Sequence, residues 1–505
     1  MAILKALVGT RLPEKYRKFL DLPERRSSYR YADTRNTALG AMSALVSETG
    51  PMRSAVYRLK SGREALGARL ALIDAAETSI DIQSYLIRYD ISGNLLSQRL
   101  VAAARRGVRV RLLMDDALTP GSDDGLTVLD GHEGIEVRVF NPFPRHRSRL
   151  LSFLLNFNLL NRRMHNKSFT VDNAVTIVGG RNIADEYYQT SETEEFLDED
   201  LMASGEVVDA VSQSFDEYWN AREACPVHFL RPALAELEAD AVIQSGLSLL
   251  SEPRTQQYIQ SLDVDFAAQV LSGDIPLSKA HAEAVYDEAA KIRRLVGSQA
   301  SRTSLYFRQL VSGAEKEVII VSPYFVPRRQ GVEFLSELVE KGVRVVVITN
   351  SLASTNHASV HAVYARYRKP LLRRGVELYE LSSVHPESGS VPGVAQKLTL
   401  HSKVAIVDGR SAFVGSFNLD PRSVFLNTEM GLGVECAPLA EEISAAIMDA
   451  IPRLGYRLGL TAKSRLTWSR ESENAELVYR TEPETRFMRR FRTRLMGLLP
   501  IESQM

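Results

Sequence analysis

Two short segments of this 505-residue chain share one pattern of residues. The first runs from His165 to Asp172 (HNKSFTVD), and the second runs from His401 to Asp408 (HSKVAIVD). In both, Lys is the second residue after His and Asp is the seventh, and a Gly and an Asn follow fourteen and seventeen residues after the His. A pattern this long, found twice, indicates an internal duplication. The chain is therefore expected to fold into two similar halves that each supply part of one active site.

The segments that precede the two motifs also follow one order. In each half a β-rich run leads into a helical pattern, and two further β-rich runs come before the motif. β-Rich runs that alternate with helical patterns are typical of α/β units with buried parallel strands. We therefore predict an α/β fold with two similar halves, each a mostly parallel β-sheet flanked by helices, and one active site at their junction.

The duplication and the local composition also predict where the segments of the chain begin and end. The two halves cover 55–225 and 301–452, and each contains one motif. The remaining segments are an N-terminal extension over 1–54, a helical connector over 226–300 and a basic amphipathic C-terminal extension over 453–505. Residues 382–394 are rich in Ser, Gly and Pro and precede the second motif, so they form either a lid or an inert surface loop.

The spacing inside each motif predicts how its side chains lie. His and Lys are two residues apart, so a strand points both side chains to the same face. The Asp lies five residues beyond the Lys, and Asp408-Gly409 predicts a hairpin turn at that point. Asp172 and Asp408 are included among the candidate catalytic residues, although their distance from the His favours an orienting or turn-stabilising role.

Two histidines in one site suit phosphoryl transfer, which needs a nucleophile, a proton donor for the leaving oxygen and positive charge for the phosphate oxygens. Imidazole titrates near neutral pH, so one neutral His can attack phosphorus while a protonated His releases the alcohol. Lys167 and Lys403 supply the charge. The amides of Asn182 and Asn418 donate to the phosphate. This chemistry needs no cofactor or metal, and the sequence has no carboxylate cluster with metal-ligand spacing.

Each histidine in such a site needs a carboxylate on its second ring nitrogen. Glu429 lies downstream of the second motif, and Asp198 and Asp200 lie downstream of the first. Glu429 and one of these two aspartates are therefore candidate partners of the histidines. A single His on a strand would more simply be a hydrogen-bonded core residue, but the duplication of the whole pattern favours a catalytic role.

Composition limits the classes of function. Lys and Arg together number 62, as do Asp and Glu, so the chain has no net charge. A general nucleic-acid binder usually has a basic excess, and we expect no nucleic-acid partner. The two cysteines are too few for a disulfide framework or a zinc site. No segment is apolar over the roughly 18 residues that a membrane span needs, and the N-terminus lacks the pattern of a cleaved signal peptide.

The doubled motif resembles the HKD motifs of the phospholipase D superfamily, and the resemblance covers most of both halves. It implies two α/β halves around one active site and a metal-free reaction through a phosphohistidine. Carried across residue by residue, it implies that His165 is the nucleophile and His401 the acid. It also implies that Ser416 contacts the phosphate, whereas the first half has Gly180 at that position. The other residues on catalytic positions are Lys167, Asn182, Lys403 and Asn418.

Three stretches are similar to bacterial cardiolipin synthases, especially those of the C type: 140–143 (FNPF), 160–172 (LNRRMHNKSFTVD) and 178–183 (VGGRNI). This resemblance implies a phosphatidyltransferase that makes cardiolipin from phosphatidylglycerol and a second phospholipid, either phosphatidylethanolamine or phosphatidylglycerol. A hydrolytic phospholipase D that releases phosphatidic acid shares every catalytic residue and remains an alternative. The neutral charge argues against a nuclease of the same superfamily, and the two intact motifs argue against a non-enzymatic binding protein.

Two basic and apolar segments predict contact with a membrane surface. Residues 145–163 place an apolar run between arginines before the first motif, and residues 486–499 mix Arg with Phe, Met and Leu. Such segments suit an anionic bilayer, where each basic residue contributes about 1 kcal/mol. We expect phospholipid substrates and a peripheral position on the bacterial inner membrane. The alternatives are a buried helix at 150–160 and a solvated or oligomer-forming helix at 486–499, and the need for an accessory protein is left open.

Overall fold

The computed structural model of the protein describes most of the chain between residues 26 and 498. The gaps are position 49, 118–122, 144–160, 231–233, 235, 264, 295–299, 385–395 and 473–474. Most of the arginine-flanked segment at 145–163 and most of the candidate lid at 382–394 lie outside the described residues. Within the described part of the chain, no helix is long and apolar enough to cross a membrane.

The first half alternates helices with strands up to the first motif and continues with a hairpin and two further strands. Ser61 caps the helix that begins at Gly62, because its hydroxyl accepts a hydrogen bond from the N–H of Glu64. The elements are α1 (Ala38–Glu48), β1 (Ser54–Leu59), α2 (Gly62–Ala75), β2 (Ser79–Ser84), α3 (Ile91–Arg105), β3 (Arg109–Asp115), α4 (Asp123–Asp130), β4 (Ile135–Phe140), β5 (Ser168–Val171), β6 (Val175–Gly179), β7 (Glu194–Leu197), β8 (Asp200–Gly205), α5 (Glu206–Trp219) and β9 (Ala224–Pro226).

A helical segment leads from the first half into the second. Its helices are α6 (Val227–Leu230), α7 (Glu236–Ser251), α8 (Pro253–Gln260) and α9 (Phe266–Ser272). The second half then comprises β10 (Ser278–Tyr286), α10 (Arg302–Ser312), β11 (Glu317–Val321), α11 (Arg328–Glu340), β12 (Arg344–Asn350), α12 (Ala358–Tyr364), α13 (Arg368–Arg373), β13 (Glu377–Leu381), β14 (Lys397–Leu400), β15 (Val404–Val407), β16 (Ser411–Gly415), α14 (Pro421–Phe425), β17 (Met430–Glu435) and α15 (Ala437–Leu454). The C-terminal elements are β18 (Gly455–Leu460), β19 (Leu466–Ser472), β20 (Ala475–Tyr479) and α16 (Phe487–Met496).

One sheet of 18 strands runs through both halves. From edge to edge its order is β9-β4-β3-β2-β5-β6-β8-β1-β10-β17-β16-β15-β11-β12-β13-β18-β19-β20. The order is symmetrical about the β1–β10 pair, in which Ser54 lies opposite Ala280. Each strand from β9 to β1 therefore has a counterpart on the other side of this pair. The predicted α/β fold with two similar halves is confirmed.

Parallel pairing is less extensive than predicted. It is limited to β2–β3 and β3–β4 in the first half and to β11–β12 and β12–β13 in the second. The other strands of the 18-stranded sheet pair antiparallel, so each half is a mixed sheet. The physical reason lies in the motifs, because the short turns after β5 and β15 can join only antiparallel strands.

Two predicted boundaries also change. The segment 226–300 is not wholly helical, because β10 lies within it and is the counterpart of β1 in the sheet order. The second half therefore begins at Ser278. The segment 453–505 is not simply an amphipathic extension, since β18, β19 and β20 continue the sheet from β13. Among the described residues of this segment, α16 has the predicted basic and amphipathic character.

The hydrophobic core has a separate part for each half and a shared part between them. The shared part brings Val56 and Leu201 of the first half together with Val404 and Leu432 of the second, and α15 covers it with Ile443. All of these side chains are buried. Burial of apolar surface on this scale, at about 25 cal/mol per Å², holds the halves together. The junction that carries the motifs therefore rests on a packed interface.

Candidate active site

The two motifs meet where the halves exchange strand contacts. β14 of the second half pairs in parallel with β7 of the first, and the N–H of His401 donates to the carbonyl of Leu197 at 2.8 Å. In the same way, the N–H of His165 donates to the carbonyl of Thr428 at 2.9 Å. The His and Lys residues thus precede β5 and β15 instead of lying on them as predicted, because the backbone beside them pairs with the opposite half.

His165 is oriented by a carboxylate of the second half. Its Nδ1 lies 2.8 Å from Oε2 of Glu429 and 3.1 Å from the carbonyl oxygen of Ser416. Glu429 is fully buried and also accepts hydrogen bonds from the hydroxyls of Ser416 and Ser423. Because Nδ1–H donates to Glu429, the lone pair of His165 lies on Nε2. The structure places Glu429 where the sequence predicts a histidine partner.

His401 has the reciprocal arrangement. Its Nδ1 lies 2.6 Å from Oδ2 of Asp198, which belongs to the first half. Asp200, the other candidate partner, instead forms an ion pair with Arg69 at 2.8 Å. The ring of His401 stacks on Phe196, with 5.6 Å between the ring centres. Each histidine is therefore held by a carboxylate from the other half of the molecule.

Burial sets the protonation state of both pairs. It lowers the pKa of His165 to about 4, despite the opposite effect of Glu429. Burial, with Lys403 in support, lowers the pKa of His401 to about 3. Burial would raise the pKa of Asp198, yet the neighbouring His401 and Lys403 lower it below the usual range of an Asp. At neutral pH both imidazoles are thus neutral beside ionised carboxylates, and each Nε2 carries a lone pair.

The two lysines of the motifs are buried cations. The ammonium of Lys167 donates to the carbonyl of His165 at 2.7 Å, and that of Lys403 donates to the carbonyl of His401. Burial lowers the pKa of Lys167 to about 7 and that of Lys403 to about 8. Two cations held in a site of low polarity favour a bound anion, because the anion offsets their desolvation. The arrangement therefore suits a phosphate group.

The two asparagines of the motifs are buried, and the amide oxygen of each has no hydrogen-bond partner among the described residues. The amide nitrogen of Asn182 donates to the hydroxyl of Tyr187 at 2.7 Å. Because a hydroxyl can donate as well as accept, the amide can turn over, keep this bond and direct its N–H groups to the position of the unpaired oxygen. The amide of Asn182 can therefore present its N–H groups to a phosphate oxygen.

Ser416 contacts a carboxylate, whereas the sequence predicts contact with the phosphate. Its hydroxyl donates to Glu429 and accepts from the N–H of Met430 at 3.0 Å. Its role is therefore to position Glu429. The first half has Gly180 at this place because a Cβ there would lie 2.0 Å from Oδ1 of Asp198. The side chain of Ser416 thus supports Glu429, whereas Asp198 packs directly against the backbone of Gly180.

Asp172 and Asp408 lie in the hairpin turns, so their predicted catalytic role is corrected to a structural one. The carboxylate of Asp172 accepts from the N–H of Thr78 at 2.7 Å, and that of Asp408 accepts from the N–H of Lys316 at 2.7 Å. These N–H groups precede β2 and β11. Both aspartates have positive φ, 51° and 54°, a conformation in which Asp is one of the more tolerant residues. The histidines lie at the other ends of β5 and β15.

Aromatic residues outside the predicted set also shape the site. Tyr85 meets the His165 ring edge-on at 5.2 Å, and the Lys167 ammonium lies 5.4 Å from the centre of the Tyr85 ring. Tyr187 contacts the His401 ring edge-on at 5.1 Å. A signal for Tyr85 was present, because Ser84-Tyr85 at the end of β2 resembles Ser322-Pro323-Tyr324 after β11. No comparable signal marks Tyr187.

Comparison with known proteins identifies the family of this chain. The family described as "Cardiolipin synthase, PLD-like domain" matches residues 70–219 and 307–449, one match in each half. The chain is 41% identical over 460 residues to Cardiolipin synthase C of Escherichia coli, a match that covers 90% of this chain and 96% of that protein. It is 27% identical to Cardiolipin synthase of Geobacillus kaustophilus over 74% of this chain and 61% of that protein.

Among solved structures, the phosphatidylserine synthase of Haemophilus influenzae is similar in fold. The two chains superpose with a TM-score of 0.54 at 14% sequence identity, over 83% of this chain and 91% of the other. This likeness supports the two-half architecture. The family match extends over more than half of the chain, and the identity with the E. coli protein extends over nearly all of it. The chain belongs to the cardiolipin synthase family with phospholipase D-like domains.

Proposed function

We propose that this protein is a phosphatidyltransferase that makes cardiolipin from phosphatidylglycerol and a second phospholipid, phosphatidylethanolamine or phosphatidylglycerol. The observation that carries the proposal is the 41% identity with Cardiolipin synthase C over nearly the full length of both chains. The site supports it, because both histidines, both lysines and both asparagines of the doubled motif are buried around one junction. No cofactor is needed for the steps described below.

The first step forms a bond between phosphorus and His165. The Nε2 lone pair of His165 attacks the phosphodiester of the donor lipid, and the bond from phosphorus to the headgroup oxygen breaks. His401 gives a proton to that oxygen, so the headgroup leaves as an alcohol and not as an alkoxide. Glu429 stabilises the charge on the His165 ring through Nδ1. The anionic phosphodiester raises the pKa of His401 when it binds, which allows this histidine to carry the proton.

In the second step His401 acts as the base, and His165 is the group that leaves phosphorus. A hydroxyl of phosphatidylglycerol gives its proton to His401 and attacks phosphorus, and the bond from phosphorus to His165 breaks. Lys167, Lys403 and the two amides stabilise the negative charge on the phosphate oxygens in both steps. The products are cardiolipin and a free His165. Trapping of a phosphatidyl group on His165, detected by mass spectrometry after acid-free quenching and digestion, tests the choice of nucleophile.

Helix α16 supports a peripheral position on the inner membrane. Phe487, Phe491, Leu495 and Leu498 follow helical spacing on one side, and all four are exposed. Basic residues surround them, and Arg489 donates to the carbonyl of Thr355 at 3.5 Å. Thr355 lies in the loop that follows β12. The side chain of Asn350, the last residue of β12, forms hydrogen bonds with the backbone of Leu400, next to His401. The helix therefore packs against the second half, where its basic and apolar surface suits an anionic bilayer.

Product analysis of the purified protein tests the function. Vesicles of phosphatidylglycerol, with and without phosphatidylethanolamine, are incubated with the full chain, and the lipids are resolved by mass spectrometry. We expect cardiolipin, and isotope-labelled phosphatidylethanolamine shows whether its phosphatidyl group is transferred. Phosphatidic acid as the sole product would show a hydrolytic phospholipase D, in which water takes the place of the lipid alcohol.

A further inference from the structure

A cleft between the two halves lies behind the segment that carries His401. Its volume is about 290 Å³, near the lower limit of roughly 300 Å³ for small-molecule sites. One side of α15 forms an apolar wall with Ile447, Ile451 and Leu454, and the ends of β11, β12, β13 and β14 form the floor. Leu400 and Ser402 line this cleft, whereas His401 and Lys403 do not. It is therefore separate from the catalytic residues.

Arg181 is a buried cation at this cleft, which the buried carboxylates Asp198 and Glu199 also line. Its side chain is only 4% exposed and forms part of the lining. One guanidinium nitrogen donates to the carbonyl of Asp198, and Nη1 lies 3.5 Å from a carboxylate oxygen of Asp200. Among the described residues, Nε and Nη1 have no hydrogen-bond partner. A buried donor without a partner costs about 1–3 kcal/mol, so an acceptor in the cleft would stabilise this guanidinium.

The duplication shows that the fold does not require an arginine here. Gly179-Gly180-Arg181-Asn182 of the first half corresponds to Gly415-Ser416-Phe417-Asn418 of the second. Phe417 is buried in the core of its half. The same backbone position can therefore hold an apolar side chain. The charge at Arg181 is a difference between the halves, and its free donors point to a ligand.

The other charged groups at the cleft mostly have partners of their own, and Asp198, which also lines it, is paired with His401. Arg58 and Glu199 neutralise each other through a contact of 2.7 Å, and Glu195 accepts a hydrogen bond from Gln189. Lys60 remains half exposed, 3.7 Å from Glu442. Ser61 and Gly62 also line the cleft, and they are the cap and the first residue of the 14-residue helix α2. The N-terminus of a helix adds positive potential.

We propose that this cleft binds an amphiphile with a carboxylate or phosphate head and a single alkyl chain. The head accepts hydrogen bonds from Nε and Nη1 of Arg181. The chain lies on Ile447, Ile451 and Leu454 of α15. The proposal goes beyond the transfer reaction, because the site lies outside the catalytic set. Leu197 and Asp198, which hold His401, form part of the wall, so an occupant contacts the same segment that orients this histidine.

Calorimetric titration of the full chain tests the proposal. The probes are dodecyl phosphate and laurate below their micellar concentrations, neutral dodecanol and inorganic phosphate. We expect one anionic amphiphile per chain and weak binding of dodecanol and inorganic phosphate. Arg181→Met should raise the Kd for both anions roughly ten- to a hundredfold. Equal affinity for dodecyl phosphate and inorganic phosphate, or for laurate and dodecanol, would overturn the proposal.

A second set of variants separates the cleft from the catalytic site. Ala450→Trp fills the cleft and should abolish binding, whereas Ala445→Trp on the exposed side of α15 should not. The double variant Lys167→Met/Lys403→Met should lose phosphatidyl transfer and keep the binding. Binding that survives Ala450→Trp and disappears in the double lysine variant would place the amphiphile in the catalytic site and refute the cleft. Unfolding temperatures measured without probes identify any variant that fails to fold.

Discussion

At the scale of single residues, the site depends on carboxylates exchanged between the halves. Glu429 comes from the half that carries His401, and Asp198 comes from the half that carries His165. A histidine held in this way keeps one tautomer and one ring orientation. The carboxylate also stabilises the positive charge that the ring acquires when it takes a proton or a phosphoryl group. Neither half alone can therefore assemble a fully oriented histidine.

Replacement of Glu429 by Gln tests this arrangement. The amide keeps the shape and one hydrogen bond to His165 but loses the negative charge, so the phosphorylated ring is less stable. We expect turnover to fall roughly ten- to a hundredfold, which is typical when such a partner is removed from a histidine ligand. The rate of cardiolipin formation measures the effect. Glu435→Gln, on the exposed end of the same strand, is the matched control, and equal rates in the two variants would contradict the role of Glu429.

The buried lysines predict how activity depends on pH. Lys167 and Lys403 must be protonated to bind a phosphate, and their pKa values of about 7 and about 8 lie well below that of an exposed Lys. The profile of kcat/KM reports ionisations of the free enzyme. We therefore expect kcat/KM to fall as the pH rises through 7 and 8. Initial rates measured between pH 5 and roughly 10 with a short-chain soluble substrate establish the profile.

Arginine substitutions show which of the two lysines causes the fall of kcat/KM at alkaline pH. Arg keeps its charge over the whole range, so Lys167→Arg should move the first loss of kcat/KM from about 7 toward the value of Lys403, about 8. Lys403→Arg should leave the first loss near pH 7. A limb that stays in place in both variants would show that another group controls it.

The sequence predicted the chemical groups of the site better than their partners. The spacing of the motifs identified the histidines, lysines and asparagines, because that pattern is local and occurs twice. The contact of Ser416 with Glu429 across a turn was not predicted, and its contact with the phosphate stays a prediction. The choice of Asp198 over Asp200 depends on β7 pairing with β14 of the other half. Contacts between distant segments of this kind leave no local pattern in the sequence.

At the scale of elements, each motif ends in a hairpin that anchors the start of a neighbouring strand. Asp408 accepts hydrogen bonds from the N–H groups of Glu315, Lys316 and Glu317, and the turn continues through Gly409 with positive φ. Two successive residues with positive φ match the tight turn that antiparallel strands favour. The Asp of the motif thus fixes the hairpin against β11, and the hairpin in turn fixes the His and Lys at its other end.

Asp408→Ala should therefore affect stability more than chemistry. Three hydrogen bonds to backbone N–H groups are lost at a half-exposed site, and we expect the free energy of unfolding to fall by about 1–2 kcal/mol. Those bonds hold the pKa of Asp408 below its usual value, although burial opposes them. The contribution is then full above the ordinary pKa of Asp and disappears as the pH falls through the lowered value.

Denaturant unfolding at pH 7 and at acid pH measures this contribution, with turnover per folded molecule as the second readout. Asp449→Ala, on the exposed side of α15, is the control. The difference between the two variants should shrink at acid pH. A large loss of turnover without loss of stability would instead favour a direct part of Asp408 in the reaction.

The alternation of strands and helices could be predicted, but the sheet order could not. The runs around β2, β3 and β4 have the apolar pattern of buried strands, and so have their counterparts. β10 was missed because its sequence, SKAHAEAVY, also fits an amphipathic helix. It becomes a strand because β1 on one side and β17 on the other offer backbone partners. Tertiary pairing therefore overrides the local preference.

At the scale of the whole molecule, the symmetrical sheet carries features that occur in one half only. Among the described residues, Arg181 in the first half is one, and the C-terminal helix α16 beside the second half is another. Thr493 and Gly497 are buried where α16 packs against the second half, while most residues of α16 remain exposed. An enzyme with water-soluble substrates would not need such a helix to reach them. A lipid substrate in a bilayer requires the enzyme to reach the membrane, and we propose that α16 provides the surface for this contact.

The double variant Phe487→Ser/Phe491→Ser tests this surface. The two rings are 68% and 46% exposed, and transfer of a Phe into an apolar environment contributes about 1.5–3 kcal/mol when complete. With partial insertion we expect binding to phosphatidylglycerol vesicles to weaken roughly ten- to a hundredfold. Cardiolipin formation from vesicles should fall in parallel, while turnover of a short-chain soluble substrate should stay unchanged, because the catalytic residues are untouched.

The matched control is Leu477→Ser/Val478→Ser. These residues of β20 are 45% and 56% exposed, and they lie in the same C-terminal region without the cluster of arginines. Their loss should leave vesicle binding intact, since exposed apolar area without basic residues lacks the attraction to anionic lipid. Binding of the native protein should also weaken as salt screens the arginines. If both double variants bind vesicles equally well, α16 is not the membrane contact, and the bilayer must be reached through another part of the chain.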